Sequence, residues 1–439
     1  MSKKPFYNQW ILDPMKKFMS NSSMSGIVLI GSALLSIILS NSSLSGWFHH
    51  IWEINLSVSL GEMELSKSIH HWINDGLMAV FFFVVGLELK REIIAGELSN
   101  MRKAILPIGA AIGGMVVPAL IYIAFNNPMT DAGNGWGIPM ATDIAFALGI
   151  LYLLGDKVPV SLKIFLTALA IADDLGAVLV IAFFYTSDIN MVSLLTGAVF
   201  MAVLIIGNRI GIRSSLFYGI IGIGGLWLAF LMSGVHATIA AVLAAFTIPA
   251  SVSITENTFN KKMGILMNKF SRAKPNESTT ITSEQHHVLL KMEQLTLEAS
   301  TPLQRLEHSM HPFVAYLVIP IFALSNAGIT IDAASLANIV NPVTLGVSSG
   351  LFIGKFIGIV GMVFILTRLK LSQLPHGCNW NHIIGAGFLA GIGFTMSLFI
   401  SELAFTSKEL VEQAKIGIIF TSVIAGTLGY FMIKRANNK

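Results

Sequence analysis

Two adjacent carboxylates, Asp173 and Asp174, stand in the middle of Leu169-Ala170-Ile171-Ala172-Asp173-Asp174-Leu175-Gly176, inside a largely apolar run from Val160 to Tyr185. An ionised side chain at the centre of a membrane helix costs about 2.5 kcal/mol or more, so two side by side call for a functional reason. Neighbouring helix positions point about 100° apart, so the two carboxyl groups cannot face one small site equally. Burial and a like-charged neighbour both favour the protonated carboxyl. The ionised form is an oxygen ligand of the kind that hard cations seek. Such a pair can therefore hold either a proton or a small hard cation such as Na⁺ or Li⁺. Competition for one site couples the two fluxes if the site is presented alternately to two faces of a membrane.

Further charged or polar groups sit at comparable depth. Asp143 closes Gly137-Ile138-Pro139-Met140-Ala141-Thr142-Asp143, where glycine and proline interrupt a short apolar segment. Lys355 follows Gly354 within another. A later segment carries Gly385, Gly387, Gly391 and Gly393 ahead of Phe394-Thr395-Met396-Ser397. Two interrupted hydrophobic segments at corresponding places in two halves predict a pair of discontinuous helices near the membrane midplane. Breaks of that kind expose roughly +0.5 of charge at each N-terminal end and −0.5 at each C-terminal end. Asp143 suits the first and Lys355 the second, although either can also touch the ion, and Thr142 offers one more oxygen. A buried ion pair between Lys355 and one of the two aspartates is the structural alternative to a direct role.

The elements that position these groups are membrane spans. Of 439 residues, 54% are hydrophobic and only 12% charged, and the mean hydropathy is +0.72. A soluble chain would carry about 25% charged residues. Apolar runs near 20 residues recur along the chain, which points to an all-α polytopic membrane protein rather than a barrel of short alternating strands. Twelve transmembrane helices are expected, near 22–41, 70–89, 104–125, 136–154, 160–185, 191–208, 214–232, 234–253, 311–329, 341–367, 382–403 and 413–433. Spans 3–5 and 10–12 would form inverted repeats, each with one of the two discontinuous helices crossing at the midplane. The net charge of +4 is sorted by loop and forms no patch for nucleic acid. With both termini cytoplasmic, only Lys67, Lys408 and Lys415 fall outside and Lys355 within the membrane; the rest, from Lys3, Lys4, Lys16 and Lys17 to Lys434, Arg435 and Lys439, lie inside. The N-terminal segment lacks a small-residue cleavage site and reads as a retained first helix.

Two loops stand out. Between Glu53 and Ser66, Ile54, Leu56, Val58 and Leu60 alternate with polar residues, and Gly61 precedes Met63 and Leu65. This predicts a small outer β-hairpin, marginal by itself and a candidate contact in a homodimer. The polar stretch at about 254–306 reads as a cytoplasmic insertion in an otherwise single transporter domain, 1–439. It is basic at its start, with Lys261, Lys262, Lys269, Arg272 and Lys274; 271–284 looks disordered and Met292–Glu298 suits a surface helix. The single cysteine, Cys378, builds neither a disulfide framework nor a metal site. No cofactor is expected beyond the transported ions.

In this order and topology, several short motifs resemble the NhaA family of Na⁺/H⁺ antiporters. They are Ala-Thr-Asp at 141–143, Ala-Asp-Asp at 172–174, Val-Gly-Leu-Glu-Leu-Lys-Arg-Glu at 85–92, Ser-Gly-Val-His-Ala-Thr at 233–238 and Leu-Glu-His…His-Pro at 306–312. The likeness runs from about residue 10 to 433 and excludes most of 254–300. It implies an electrogenic, pH-regulated exchange of cytoplasmic Na⁺ or Li⁺ for external H⁺ in a bacterial inner membrane. It also implies that Asp173 and Asp174 are the sodium- and proton-binding pair, with Asp143 and Thr142 at the crossing. Lys355 would pair with Asp173 when no ion is bound, leaving Asp174 as the direct ligand. Glu88, Arg91, Glu92, Glu307, His308 and His311 would form a cytoplasmic cluster that responds to alkaline pH, tuned by His236. One departure is Phe356 after Lys355, where the family pattern often has proline. The insertion beside Glu307 and His308 is another.

Other chemistries fit less well. An intramembrane aspartyl protease needs Gly-x-Gly-Asp and a zinc protease His-Glu-x-x-His; neither is present, so no enzyme is expected. A channel would favour a ring of repeated polar residues. A sodium-coupled organic-anion symporter could share the architecture, but it would not need an Asp-Asp pair plus a membrane lysine.

Overall fold

The structure, a computed structural model, describes residues 22–60, 63–186, 189–273, 280–330 and 340–437. Expectations placed on Lys3, Lys4, Lys16, Lys17, Gly61, Lys274 and Lys439 lie outside these residues. In chain order, α1 (Ser22–Ser40) turns into α2 (Ser45–Glu53), which leads to the antiparallel strands β1 (Asn55–Leu60) and β2 (Met63–Ser68). A continuous helix, α3 (69–95), follows and carries one π-turn at Trp72–Leu77. Next come α4 (Met101–Phe125), a 3-10 segment (Asp131–Met140), α5 (Ile144–Leu153), α6 (Val160–Phe184) and α7 (Met191–Ile210). Then α8 (Ser215–Leu231) and α9 (Ala237–Thr247) precede the polar pair α10 (Glu256–Arg272) and α11 (Ser283–Ala299). Last are α12 (Pro302–Asn326), α13 (Pro342–Arg368), α14 (Trp380–Ala390), α15 (Phe394–Ala404) and α16 (Lys408–Ala436).

Seven of the described helical segments are long and apolar enough to cross a membrane: α4, the 3-10 segment with α5, α6, α7, α12, α13 and α16. The bent pairs α1–α2 and α14–α15, at 114° and 41°, raise this to nine if each is one span. The chain is thus a mostly helical, polytopic membrane protein with one small hairpin.

Local signals set many of the ends. Asn100 caps α4 by accepting from the Arg102 N–H at 3.0 Å, and Asn190 caps α7 through Val192 and Ser193. Asn341 accepts from Thr344 N at 2.7 Å, with Pro342 preset in the first turn of α13. α7 stops at Gly211, whose φ of 89° few other residues adopt. The insertion is more ordered than expected at its second half. Thr282 and Gln285 form a capping box that starts α11 at Ser283, inside the stretch read as disordered, and α11 includes 292–298.

α4 is the strut of the bundle, packed between α6 and α13. Its approach to α13 is so close that a Cβ added at Gly358 would lie 2.1 Å from Gly113 O, and one at Gly113 would meet Gly358 O. Lipid gives helices no hydrophobic reason to associate, so close backbone approach through small residues does that work. Gly358→Val should therefore push α13 off α4 and prevent accumulation of a monodisperse protein in detergent, whereas Gly361→Val, at a position with open space, should be tolerated. Equal behaviour of the two variants in size-exclusion chromatography would contradict this packing.

Candidate functional site

The broken segments interrupt at Ala141–Asp143 and at Gly391–Gly393. The first break lies just beyond Pro139, and Gly385 and Gly387 fall inside α14, where they serve packing: a Cβ at Gly385 would meet Ile433 at 2.4 Å. The two breaks are bonded to each other. The Asp143 N–H donates to Ile392 O at 2.7 Å, and Thr142 Oγ1 donates to Ala390 O at 2.9 Å.

Asp143 caps both half-helices that begin at this crossing. One carboxylate oxygen accepts from the Phe146 N–H of α5 at 2.9 Å. The other accepts from the Thr395 N–H at 3.0 Å and from Thr395 Oγ1 at 2.6 Å, in the first turn of α15. Its negative charge thus lies where two positive helix ends converge. Of the two roles that the sequence left open, charge compensation and ion contact, these bonds are of the first kind.

Lys355 begins the regular part of α13 directly after a π-turn at Gly350–Gly354. Phe356 does not disturb the helix; its ring stacks on Phe388 at 4.6 Å and the helix runs on to Arg368. The Lys355 side chain is fully buried, and Nζ donates to Asp173 Oδ2 at 2.5 Å and to Thr142 Oγ1 at 2.9 Å. The predicted ion pair is thus present, and it involves the first aspartate. Asp174 is equally buried, yet neither of its carboxylate oxygens has a hydrogen-bond partner among the described residues. A carboxylate so placed is strongly unfavourable unless it carries a proton or meets a cation. Asp143, Thr142, Asp173, Asp174 and Lys355 therefore form one constellation in which Asp173 Oδ1 and both oxygens of Asp174 lack partners among the described residues.

A cavity of about 690 Å³ opens beside it, lined by Glu88 and Arg91 of α3, Ile144, Leu148 and Tyr152 of α5, Thr167 and Ile171 of α6 and the start of α12. Its floor is one residue from Asp143, at Ile144, and one helical turn from Asp174, at Ile171. Glu307, His308 and His311 also line it. Arg91 bridges Glu307 through Nη1 and Glu92 through Nη2, the latter at 3.0 Å. The structure thus brings together six of the seven residues grouped by the resemblance. His236 is placed apart. It precedes α9, bonds Tyr185 O at 2.8 Å and lies near Asp75 at the start of α3, about 24 Å along that helix from Arg91 at 1.5 Å per residue.

Some participants escaped the sequence reading. Thr395 was visible as the first polar residue after a glycine break, a position where a helix N-terminus seeks an acceptor. Lys90 gave no such signal; its Nζ donates to Phe246 O at 2.6 Å and to Ile248 O at 2.5 Å and ties α3 to the end of α9.

A family model described as Na⁺/H⁺ antiporter 1 matches residues 16–433. The chain belongs to this antiporter family. Similar proteins include the Na⁺/H⁺ antiporter NhaA 2 of Syntrophotalea carbinolica, 48% identical over 434 residues that span 99% of each chain. The NhaA 1 of Saccharophagus degradans is 48% identical over 97% of this chain and 92% of its own. The NhaA of Acidithiobacillus ferrooxidans is 46% identical over 98% and 99%. The family is one of transporters, so this Na⁺/H⁺ antiporter family member is a transporter and not an enzyme.

Proposed function

We propose that this antiporter exchanges cytoplasmic Na⁺ or Li⁺ for external H⁺ by alternating access, with both ions competing at Asp174. The observation that carries this reading is the fully buried Asp174 carboxyl with two unpartnered oxygens. Protonated, it is neutral and at rest. Deprotonated, it is a vacant hard-oxygen ligand, with Thr142 Oγ1 and the Asp173 carboxylate nearby to complete a shell. Competition at Asp174 alone trades equal charges. Electrogenic exchange needs another proton, and Lys355 is positioned to release it when the cation draws Asp173 away from Nζ. Arg91, Glu92, Glu88, Glu307, His308 and His311 around the cavity form the pH-responsive entrance, and His236 acts on it from a distance.

The same reading supplies the finer architecture. Adding α3, α8 and α9 to the nine candidates makes twelve spans. α4, α5 with its 3-10 segment and α6 then match α13, the α14–α15 pair and α16: in each triplet a broken span lies between two continuous ones, as inverted repeats require. The basic loops put both termini in the cytoplasm of a bacterial cell, in the inner membrane, and the 690 Å³ cavity faces inward. Leu56 and Val58 are more than half exposed on the hairpin, whose free edges suit pairing with a second copy in a homodimer.

Inside-out membrane vesicles with an imposed proton gradient test this. Na⁺ or Li⁺ should dissipate the gradient and K⁺ should do little, with activity rising from acidic to alkaline pH. Lack of any Na⁺ response would overturn the exchange, and a flat pH profile would overturn the entrance cluster.

A further inference from the structure

α9 ends at Thr247, and the last four carbonyls of a helix have no partner inside it. Here each of them is taken. Ala244 O accepts from Thr247 Oγ1 at 2.6 Å and Ala245 O from the Ile248 N–H at 3.1 Å. Phe246 O accepts from Lys90 Nζ at 2.6 Å, and Thr247 O from Asn208 Nδ2 of α7. The carbonyls beyond the helix continue the row. Ile248 O accepts from Lys90 Nζ at 2.5 Å, Pro249 O from the Leu303 N–H at 3.2 Å, and Ser251 O from Arg213.

Two of these ties run in series from α3 to α12. Lys90 stands about 200° around α3 from Glu88, turned away from the cavity that Glu88 lines. It shares a face with Gly86, one turn earlier, where an added Cβ would lie 2.8 Å from Ala245 Cβ. That close approach brings the end of α9 within reach of the lysine. One residue past Ile248, Pro249 accepts from Leu303 in the first turn of α12, ahead of Gln304, Arg305 and Glu307 on the cavity wall. The direct tie between α3 and α12 is the Arg91–Glu307 pair, in which Arg91 is 38% exposed. An ion pair so open to water contributes little. The Lys90 route is different in kind, because Ile248 is fully buried and its carbonyl would lack a partner without the ammonium. Lysine suits the place: its charge opposes the negative end of α9, and Nζ has three N–H groups for two acceptors.

We propose that Lys90 is a positioning residue of the cytoplasmic entrance. It holds the exit of α9, and through Pro249 and Leu303 the start of α12, in register with α3. The proposal rests on the exchange reading above and adds to it a residue outside both the cavity lining and the buried constellation. Glu88 and Glu307 bring negative charge to the cavity from α3 and α12, and charge gathered in a cleft raises the local concentration of a counter-ion. Loosening the register should therefore raise the Na⁺ requirement while leaving the buried aspartates able to work.

Hydrogen exchange on the full-length protein in nanodiscs tests the tie, with Na⁺-driven dissipation of a proton gradient in inside-out vesicles as second readout. In Lys90→Gln, peptides over 246–253 and 300–306 should exchange roughly ten-fold faster, as expected when one hydrogen bond to a charged group is lost. Half-maximal Na⁺ should rise by about ten-fold, the low end for a charged cleft, with the rate at saturating Na⁺ near that of the parent. Lys90→Arg keeps charged donors for both carbonyls and should restore both readouts. Asn208→Ala removes a donor from the same row without touching α3; it should leave 300–306 and the Na⁺ requirement unchanged. If Lys90→Gln does not accumulate, Leu303→Pro breaks the route at its other end, in a first helical turn that tolerates proline. It should raise the Na⁺ requirement alike, and an unchanged requirement would count against the tie. Parent-like exchange at 300–306 in Lys90→Gln, or equal effects of Asn208→Ala, would overturn the positioning role and leave Lys90 a helix cap. A parent without any Na⁺ response would overturn the exchange reading instead, and hydrogen exchange would still decide the tie.

Discussion

Asp174→Asn should reduce Na⁺- and Li⁺-driven dissipation of a proton gradient to background while leaving the protein as stable as the parent, or more so. The reasoning is local. Asp174 makes no hydrogen bond that holds the fold together, since both of its oxygens lack partners among the described residues. Replacing the carboxyl with a neutral amide of the same shape removes a buried ionisable group and opens no cavity. Folding loses nothing that depends on the charge. Transport loses everything that does, because an amide neither releases a proton nor presents a formal charge to a desolvated cation. Antiport in vesicles and thermal unfolding in detergent together decide it. An unfolded variant would show that Asp174 is structural, and retained exchange would remove it from the ion path.

The second large effect concerns the neighbouring pair. Lys355→Ala should destabilise the protein by about 3–5 kcal/mol, the usual consequence of leaving one charge of a buried pair without its partner. The Asp173 Oδ2 atom and Thr142 Oγ1 would both lose the ammonium that now reaches them at 2.5 and 2.9 Å. Asp173→Asn in the same chain should restore much of the loss, because the stranded charge is then gone. A double-mutant cycle on unfolding therefore gives a large coupling between positions 173 and 355. Additive effects would mean that the contact contributes nothing. The contrast with Asp174 is the expected result: loss of stability when the Asp173–Lys355 pair is broken, and loss of transport without loss of stability at Asp174.

The sequence made the charged constellation legible because polar groups in apolar runs are conspicuous. Asp143, Asp173, Asp174 and Lys355 needed no structure to be found. Adjacency on a helix also required that Asp173 and Asp174 face different ways. Residue spacing could not say that Lys355 chooses Asp173, since α6 and α13 meet only through tertiary packing. The sharing of Asp143 between two helix ends was hidden for the same reason: its partners at Phe146 and Thr395 are separated by most of the chain. The breaks fell near the predicted glycines and proline, but Gly385 and Gly387 drew attention for a break when their task is to admit Ile433 and Val360. Composition marks a glycine as permissive and leaves open whether backbone bending or neighbour access uses it. The hairpin was clear from its period-two pattern. α10 was missed although Phe259, Met263, Leu266 and Phe270 recur at helical spacing and form its half-buried face, because the polar, basic residues between them drew the reading to a loop.

The shared cap at Asp143 has a consequence for how the molecule can move. A residue that accepts hydrogen bonds from both half-helices, and whose own N–H is donated across the crossing to Ile392, acts as a pin through two crossed rods. Rotating either rod alone would break several bonds in a place no water can repair. The rods must therefore travel together, and the freedom that transport requires has to reside in the softer surfaces around them. Ion exchange then becomes the displacement of one stiff body past its surroundings, with the crossing as its undeformed centre.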